Sequence, residues 1–409
     1  MLHRDKRLLL YLFVAFRLML LIAYQPFLLN GVERGLTVFG DFQHYFNVAS
    51  LSSSGSLPYR DYWYEFPPVF PAISLTVYTL TGGQAGGFTA YATALGLFMI
   101  IVDVGNLLLL QRLGTRLHKE ETGTTLAWTY ALLAVPLVFS MWTFEPLVCF
   151  FILLAITWLV EGQDNRAAVA IALGALTKLY PLILLAGVWR MRKLAQAIRV
   201  TVISGVITAL GITAMLLYGG KFGLPSLSAQ FNKASYQTVW ALIDGNYRTG
   251  NFGPITDHFV PEKATELLGN PSRVPWWLRG LIFGAIGLFI YARTRRFDER
   301  GLVAFVSVTV IVFFLWSQGW SPQWQMVLVP LILLNFPTRS GVLTALMLSL
   351  VSFIEYPLLF MRTGDTGGAI SGAQLPIFAV LIAIRTLILI GLAVGLYQLL
   401  RQERRPSQA

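Results

Sequence analysis

The chain has a single cysteine in 409 residues, Cys149, inside an apolar run. That excludes an intrachain disulfide and a cysteine-based metal cluster. Charge is scarce too. Asp, Glu, Lys and Arg make up 12% of the chain, against about 25% in a soluble domain. No polar segment is long enough to fold as a separate globular unit, so residues 1–409 read as one domain. Zinc spacings, a Walker loop, a dinucleotide glycine signature and a Gly-x-Ser-x-Gly elbow are all missing. The patch Gly82-Gly83-Gln84-Ala85-Gly86-Gly87 precedes an apolar run rather than following a strand. It reads as a flexible linker, not a phosphate loop.

What is there is hydrophobic: 56% of the residues, in long continuous runs. Only helices or closed barrels span lipid, and these runs are too long for barrel strands. The expected fold is all-α and polytopic. Spans are expected near 8–29, 88–110, 124–142, 146–160, 167–178, 180–190, 197–218, 277–292, 302–317, 324–336, 341–361 and 376–400, about twelve crossings. The first is read as a retained anchor because it is long and lacks a small-residue cleavage site. Residues 67–81 are apolar but short, flanked by Pro67-Pro68 and Gly82-Gly83. They are expected to lie in or dip from the outer interface.

The net charge of +11 sits in short connectors. Segments 4–7, 112–119, 166, 190–199, 293–300, 339 and 401–405 hold 19 of the 31 Lys and Arg. That is the positive-inside pattern, not a nucleic-acid face. It puts both termini in the cytoplasm, and loops 30–87 and 219–276 outside, where they are expected to form the catalytic face.

The scarce acids gather in the first outer loop. Asp41 heads Asp41-Phe42-Gln43-His44-Tyr45, and Arg60-Asp61-Tyr62-Trp63-Tyr64-Glu65 follows. Asp41 suits a general base on a hydroxyl or a cation ligand. It equally suits a helix N-cap. Arg60, Asp61 and Glu65 among aromatics suit a sugar, which has apolar faces and hydroxyl edges; they equally suit an interfacial belt. Glu145 opens the fourth span, where an ionisable group faces a cavity or is merely wetted. Lys178 interrupts an apolar run before Leu179-Tyr180-Pro181. A break at depth is tolerated only where it is buried or lines a cavity, so Lys178 suits a phosphate more than snorkelling. Arg17 and Arg385 are embedded and suit a buried acid or carbonyl. The loop around Trp240, Asp244 and Arg248, His258 beyond it, and Trp316 to Trp324 with Gln323 either line an outer cavity or form belt aromatics.

Taken together, Gly40-Asp41, Pro58-Tyr59-Arg60-Asp61, Tyr64-Glu65-Phe66-Pro67-Pro68, Thr177-Lys178-Leu179-Tyr180-Pro181 and Ser321-Pro322-Gln323-Trp324 resemble the integral-membrane GT-C glycosyltransferases. The chain is most similar to family 87, the polyprenyl-phosphate-mannose-dependent mannosyltransferases. The resemblance implies a GT-C-like fold. It implies inverting transfer of a sugar, mannose, from a polyprenyl-phosphate donor to a lipid or glycan acceptor of the cell envelope. Asp41 would be the general base. Lys178, with Arg248 and His258, would hold the donor phosphate. His44, Tyr45, Arg60, Asp61, Tyr64, Glu65, Glu145, Tyr180, Trp240, Asp244 and Gln323 would bind substrate. No cofactor is expected; a divalent metal is not indicated, since Glu145 stands where relatives often have Asp. The rival readings are a transporter or flippase of a lipid-linked sugar, which would show a repeat between halves, and a polymer ligase. No repeat is visible.

Overall fold

The computed structural model describes residues 5–23, 41–229, 231, 233–250, 252–363 and 368–402. Gly40 and the expected end of the first span lie outside them. Among the described residues there are helices, turns and isolated bridges but no strand. The first half holds α1 (Lys6–Ala23), α2 (Phe42–Ser50), α3 (Val69–Leu80), α4 (Gly83–Leu117), α5 (Glu120–Leu132), α6 (Ala134–Phe139), α7 (Glu145–Val160), α8 (Asp164–Thr177) and α9 (Leu184–Met191). The second holds α10 (Leu194–Gly219), α11 (Gly223–Ser228), α12 (Val239–Asp244), α13 (Trp276–Arg293), α14 (Glu299–Trp316), α15 (Gln325–Asn335), α16 (Arg339–Phe353), α17 (Phe360–Thr363) and α18 (Gln374–Arg401).

Among the described residues five stretches are long and apolar enough to cross a membrane: Gly83–Leu117, Leu194–Ser228, Glu299–Trp316, Arg339–Tyr356 and Gln374–Arg401. The expected crossings near 8–29 and 277–292 correspond to the 18-residue helices α1 and α13, and the rest to shorter or interrupted helices. At 12 residues, α3 reaches about 18 Å, short of the ~30 Å hydrocarbon core. It does not span alone, in keeping with the reading of 67–81. The expected linker at 82–87 is instead the first turn of α4, kinked at Gly87 (φ 73°, ψ 174°). Gly tolerates that left-handed bend.

Prolines set two of the interruptions. A proline ring clashes with the carbonyl four residues earlier. Pro136 therefore ends α5 at Leu132, and the expected span 124–142 is split. Pro181 likewise ends α8 at Thr177 and leaves Lys178 extended (φ −159°, ψ 127°). Pro330 lies inside α15. Its ring faces the carbonyl of Met326, which accepts from Cys149 Sγ at 3.3 Å instead.

Two helices are apolar on every side and sit at the centre. Every residue of α15 is buried, and so is most of α7. In contrast, α10 exposes Ile198, Val202, Val206, Leu210 and Leu217 along one stripe, the face it offers to lipid. Inside the bundle several charged groups are paired. Arg17 Nε donates to Asp103 Oδ2 at 2.8 Å, and Tyr130 OH to Asp103 Oδ1 at 2.6 Å. This joins α1, α4 and α5. Arg385 on α18 bonds Glu355 and the carbonyl of Gln237. Both embedded arginines thus found the acid or carbonyl that their position called for.

The long α4 relates the two ends of the bundle. It starts beside α2, where Phe46 packs on Phe88 and Tyr91. It finishes at Arg116, which pairs with Glu299 at 2.6 Å. Arg112 with Glu161 and Arg192 with Asp164 add further ion pairs at that basic end. The acid-rich first loop and the loop after α10 meet at the opposite end.

Candidate active site

Asp41 occupies the N-cap position of α2 but makes no side-chain cap bond. Its carboxylate is turned elsewhere. Oδ2 accepts from Tyr45 OH at 3.0 Å and from Gln323 Nε2 at 3.0 Å. One helical turn brings Tyr45 over Asp41. Tyr45 is held by Phe70 at 4.6 Å and by Phe144 at 5.8 Å between ring centres. Gln323 comes from the single turn Pro322–Trp324 that leads into α15. Both hydrogen bonds go to one oxygen. Among the described residues Oδ1 has no partner, which leaves it to receive a proton.

Burial raises the Asp41 carboxyl from 3.8 to about 6. The Tyr45 bond and the Lys178 charge oppose this, while the Glu65 and Glu145 charges add to it. The group is still mostly ionised at pH 7, yet basic enough to hold a proton.

Asp41 lies on the wall of a cavity of about 140 Å³. Glu65, Lys233, Gln237, Arg248 and Gln323 share that wall. Lys233 Nζ donates to Glu65 Oε2 at 3.4 Å. Burial acts to lower the Lys233 pKa, but the Glu65 charge, Tyr236, the hydrogen bond to Glu65 and the Asp41 charge together hold the ammonium above its usual range. Arg248 Nη1 donates to the Leu268 carbonyl at 2.8 Å, and among the described residues no carboxylate pairs with it. The sequence reading missed Lys233 and Gln237. Neither belongs to a periodic or motif-like pattern, so no local signal marks them.

Lys178, expected to hold the donor phosphate, is paired with a carboxylate. Its Nζ donates to Glu145 Oε2 at 2.7 Å, and Tyr180 OH donates to Glu145 Oε1 at 2.9 Å. The ammonium also lies 5.2 Å from the Trp324 ring centre. The helix break thus exposes Lys178 to a buried carboxylate 33 residues away. None of the three lines the Asp41 cavity among the described residues. The unit acts on the cavity through charge.

The two histidines form a lock between loops. His258 Nδ1 lies 2.7 Å from the Trp63 carbonyl, and Trp63 N donates to the His258 carbonyl at 2.9 Å. Their rings stack at 4.1 Å. His44 stacks on Phe252 at 3.8 Å, with Nε2 3.9 Å from Glu65 Oε1. Burial pushes both imidazoles below their usual pKa. A neutral His44 makes that last contact dipolar rather than an ion pair.

The remaining expected residues are not on the cavity wall. Arg60 and Asp61 pair with each other at 2.8 Å, and Asp61 also accepts from Leu57 N. They close their own exposed turn. Asp244 accepts from Ser235 Oγ and Arg273 N, organising the loop after α12. The Tyr64 backbone binds Ser226 Oγ, and its ring packs inward. Trp240 Nε1 binds the Leu315 carbonyl, and its ring lines an apolar groove. No group of three or more His, Cys, Asp or Glu with metal-binding geometry occurs among the described residues.

The described residues thus form a helical bundle of a membrane protein with an acid and cations at one end. Residues 66–317 match the sequence family "Glycosyltransferase family 87". The chain belongs to glycosyltransferase family 87. Curated protein sequences give no match. The chain is also similar to the Archaeoglobus fulgidus oligosaccharyltransferase crystallised in the apo form. Identity is 14% and the TM-score 0.45, over 98% of this chain and 56% of that one. The same enzyme tethered to an acceptor peptide containing the NVT sequon gives 14% and 0.43, over 99% and 56%. The chain thus spans little more than half the length of that relative.

Proposed function

We propose that the protein transfers a sugar from a polyprenyl-phosphate donor to a hydroxyl of a lipid or glycan acceptor. The observation that carries this is Asp41: an ionised carboxylate whose Oδ1 has no partner among the described residues, on one cavity wall with Lys233 and Arg248. The acceptor oxygen attacks the anomeric carbon. Its proton passes to Asp41 Oδ1. The bond from the anomeric carbon to the phosphate oxygen breaks, and its electron pair leaves on the phosphate. A single displacement of this kind inverts the anomeric centre. Lys233 and Arg248 neutralise the leaving phosphate. Lys178 takes a different part from the one the family resemblance implied. Paired with Glu145, it keeps that acid's charge compensated and holds the Asp41 pKa down.

Family 87 resemblance supports mannose as the sugar. The basic connectors at the far end support an extracytoplasmic cavity in a cytoplasmic membrane. Family membership favours this reading over a transporter. The test is single-turnover transfer from radiolabelled polyprenyl-phosphate mannose into membrane lipid extract. Wild type should label a product and Asp41→Asn should not. Labelling by both at similar rates would end the general-base role. No labelling by wild type with any polyprenyl-phosphate sugar would end the donor assignment.

A further inference from the structure

Gln237 and Tyr59 are the non-glycine residues with a left-handed backbone among those described, Gln237 at φ 50°. Such a conformation costs about 1–3 kcal/mol and persists only where surroundings impose it. Here they do. The Gln237 carbonyl accepts from Arg385, which is itself paired with Glu355 at the irregular turn Ile354–Leu359. The Arg385 guanidinium lies 4.4 Å from the Trp320 ring centre. The side-chain Oε1 accepts from Gly250 N at 3.1 Å. Because a backbone N–H needs an acceptor, that bond fixes which end of the amide is oxygen. Nε2 is therefore the other end. It is buried, and it has no partner among the described residues. The whole residue is 0% exposed and lines the Asp41 cavity. A buried donor without an acceptor costs about 1–3 kcal/mol. A strained, tethered residue carrying one is held for an acceptor that arrives from outside.

The next residue identifies that acceptor's carrier. Thr238 lines a second space, an apolar groove of about 560 Å³ between α13, α14 and α18. Phe283, Leu389, Ala393 and Tyr397 are among its walls, and Arg385 with Trp320 stands at its polar margin. One peptide bond thus separates a polar cavity from a groove with the volume of a ligand site.

We propose that Gln237 is the seam at which a lipid-linked phosphate straddles the two spaces. Nε2 donates to a headgroup oxygen in the polar cavity, and the hydrocarbon chain runs along the groove between α13, α14 and α18. This rests on the lipid-phosphate donor reading and adds a binding residue and a route to it.

Binding of undecaprenyl phosphate, geranyl phosphate and inorganic phosphate to the full chain in detergent tests it. Two variants separate head from chain. Gln237→Gly accepts the positive φ and removes the amide. Ala393→Trp fills the groove on a different helix. Gln237→Gly should weaken both lipids about tenfold or more, as loss of a hydrogen bond to a charged group does. Ala393→Trp should weaken undecaprenyl phosphate about tenfold and leave geranyl phosphate unchanged. Inorganic phosphate should compete poorly against the long lipid. Unchanged binding by Gln237→Gly would overturn the seam. Equal loss for both lipids, or for neither, in Ala393→Trp would overturn the route. Inorganic phosphate competing as well as geranyl phosphate would overturn the lipid assignment. Failure of the wild type to bind any of the three would sink the donor reading beneath it.

Discussion

Replacing Asp41 by Asn should raise stability while removing turnover. Burial lifts the carboxyl from 3.8 to about 6 in the folded chain. Between those values the folded state holds a proton that the unfolded state has lost. The stability lent by the protonated acid is complete below about pH 3.8 and gone above about pH 6. Each unit is worth about 1.4 kcal/mol, so an ionised Asp41 costs the fold up to about 3 kcal/mol. The side chain is partly exposed, and solvent screening reduces the figure to roughly 1–3 kcal/mol. Asn is neutral at every pH and its oxygen can accept from both Tyr45 and Gln323, since both bonds now go to one atom. The variant should match wild type in thermal unfolding near pH 4 and exceed it at pH 7.5. Transfer should fall by about 10²–10⁴-fold, the usual worth of a general base. The assays are unfolding midpoints in detergent at both pH values and single-turnover transfer. A variant that is less stable at pH 7.5, or equally shifted at both pH values, would refute the desolvation argument.

The wild-type enzyme should lose kcat/KM as pH falls below about 6, because protonated Asp41 cannot act as base; a flat pH–rate profile down to pH 5 would contradict this. Lys178→Met removes a charge that lowers the Asp41 pKa, so the acid limb of that profile should move to higher pH, with donor KM little changed. Lys233→Ala should raise donor KM about tenfold or more, measured with a polyprenyl-phosphate sugar at fixed acceptor. Asp103→Asn leaves Arg17 buried without its counter-ion and should destabilise by about 3–5 kcal/mol, read as a lower unfolding midpoint across the pH range.

Some of the local structure around the candidate site was legible because it rests on local rules. Asp41 stood out as an acid beside an apolar span. Pro181 marked the end of α8 through its clash with the preceding turn, which placed Lys178 at a break. What the break faces was not legible. Lys178 was read toward a phosphate, and only folding shows that Glu145 lies 2.7 Å from it. Asp61 suited a sugar, yet its neighbour Arg60 and the Leu57 amide occupy it. Lys233 and Gln237 carried no pattern at all. Their roles come from Glu65, 168 residues away, and from Arg385, 148 residues away.

The sequence alone determined an all-α membrane protein, its basic end and the acid that heads the loop after the first apolar run. Composition, apolar run length and proline sterics are local properties, and they act before any tertiary contact forms. The structure decided which charges are quenched and which face the cavity. Asp41 meets Gln323 across 282 residues, and no spacing rule reaches that far. Whether a buried ion is compensated depends on what packs within a few ångströms, because Coulomb attraction and desolvation in a low dielectric change steeply over that distance.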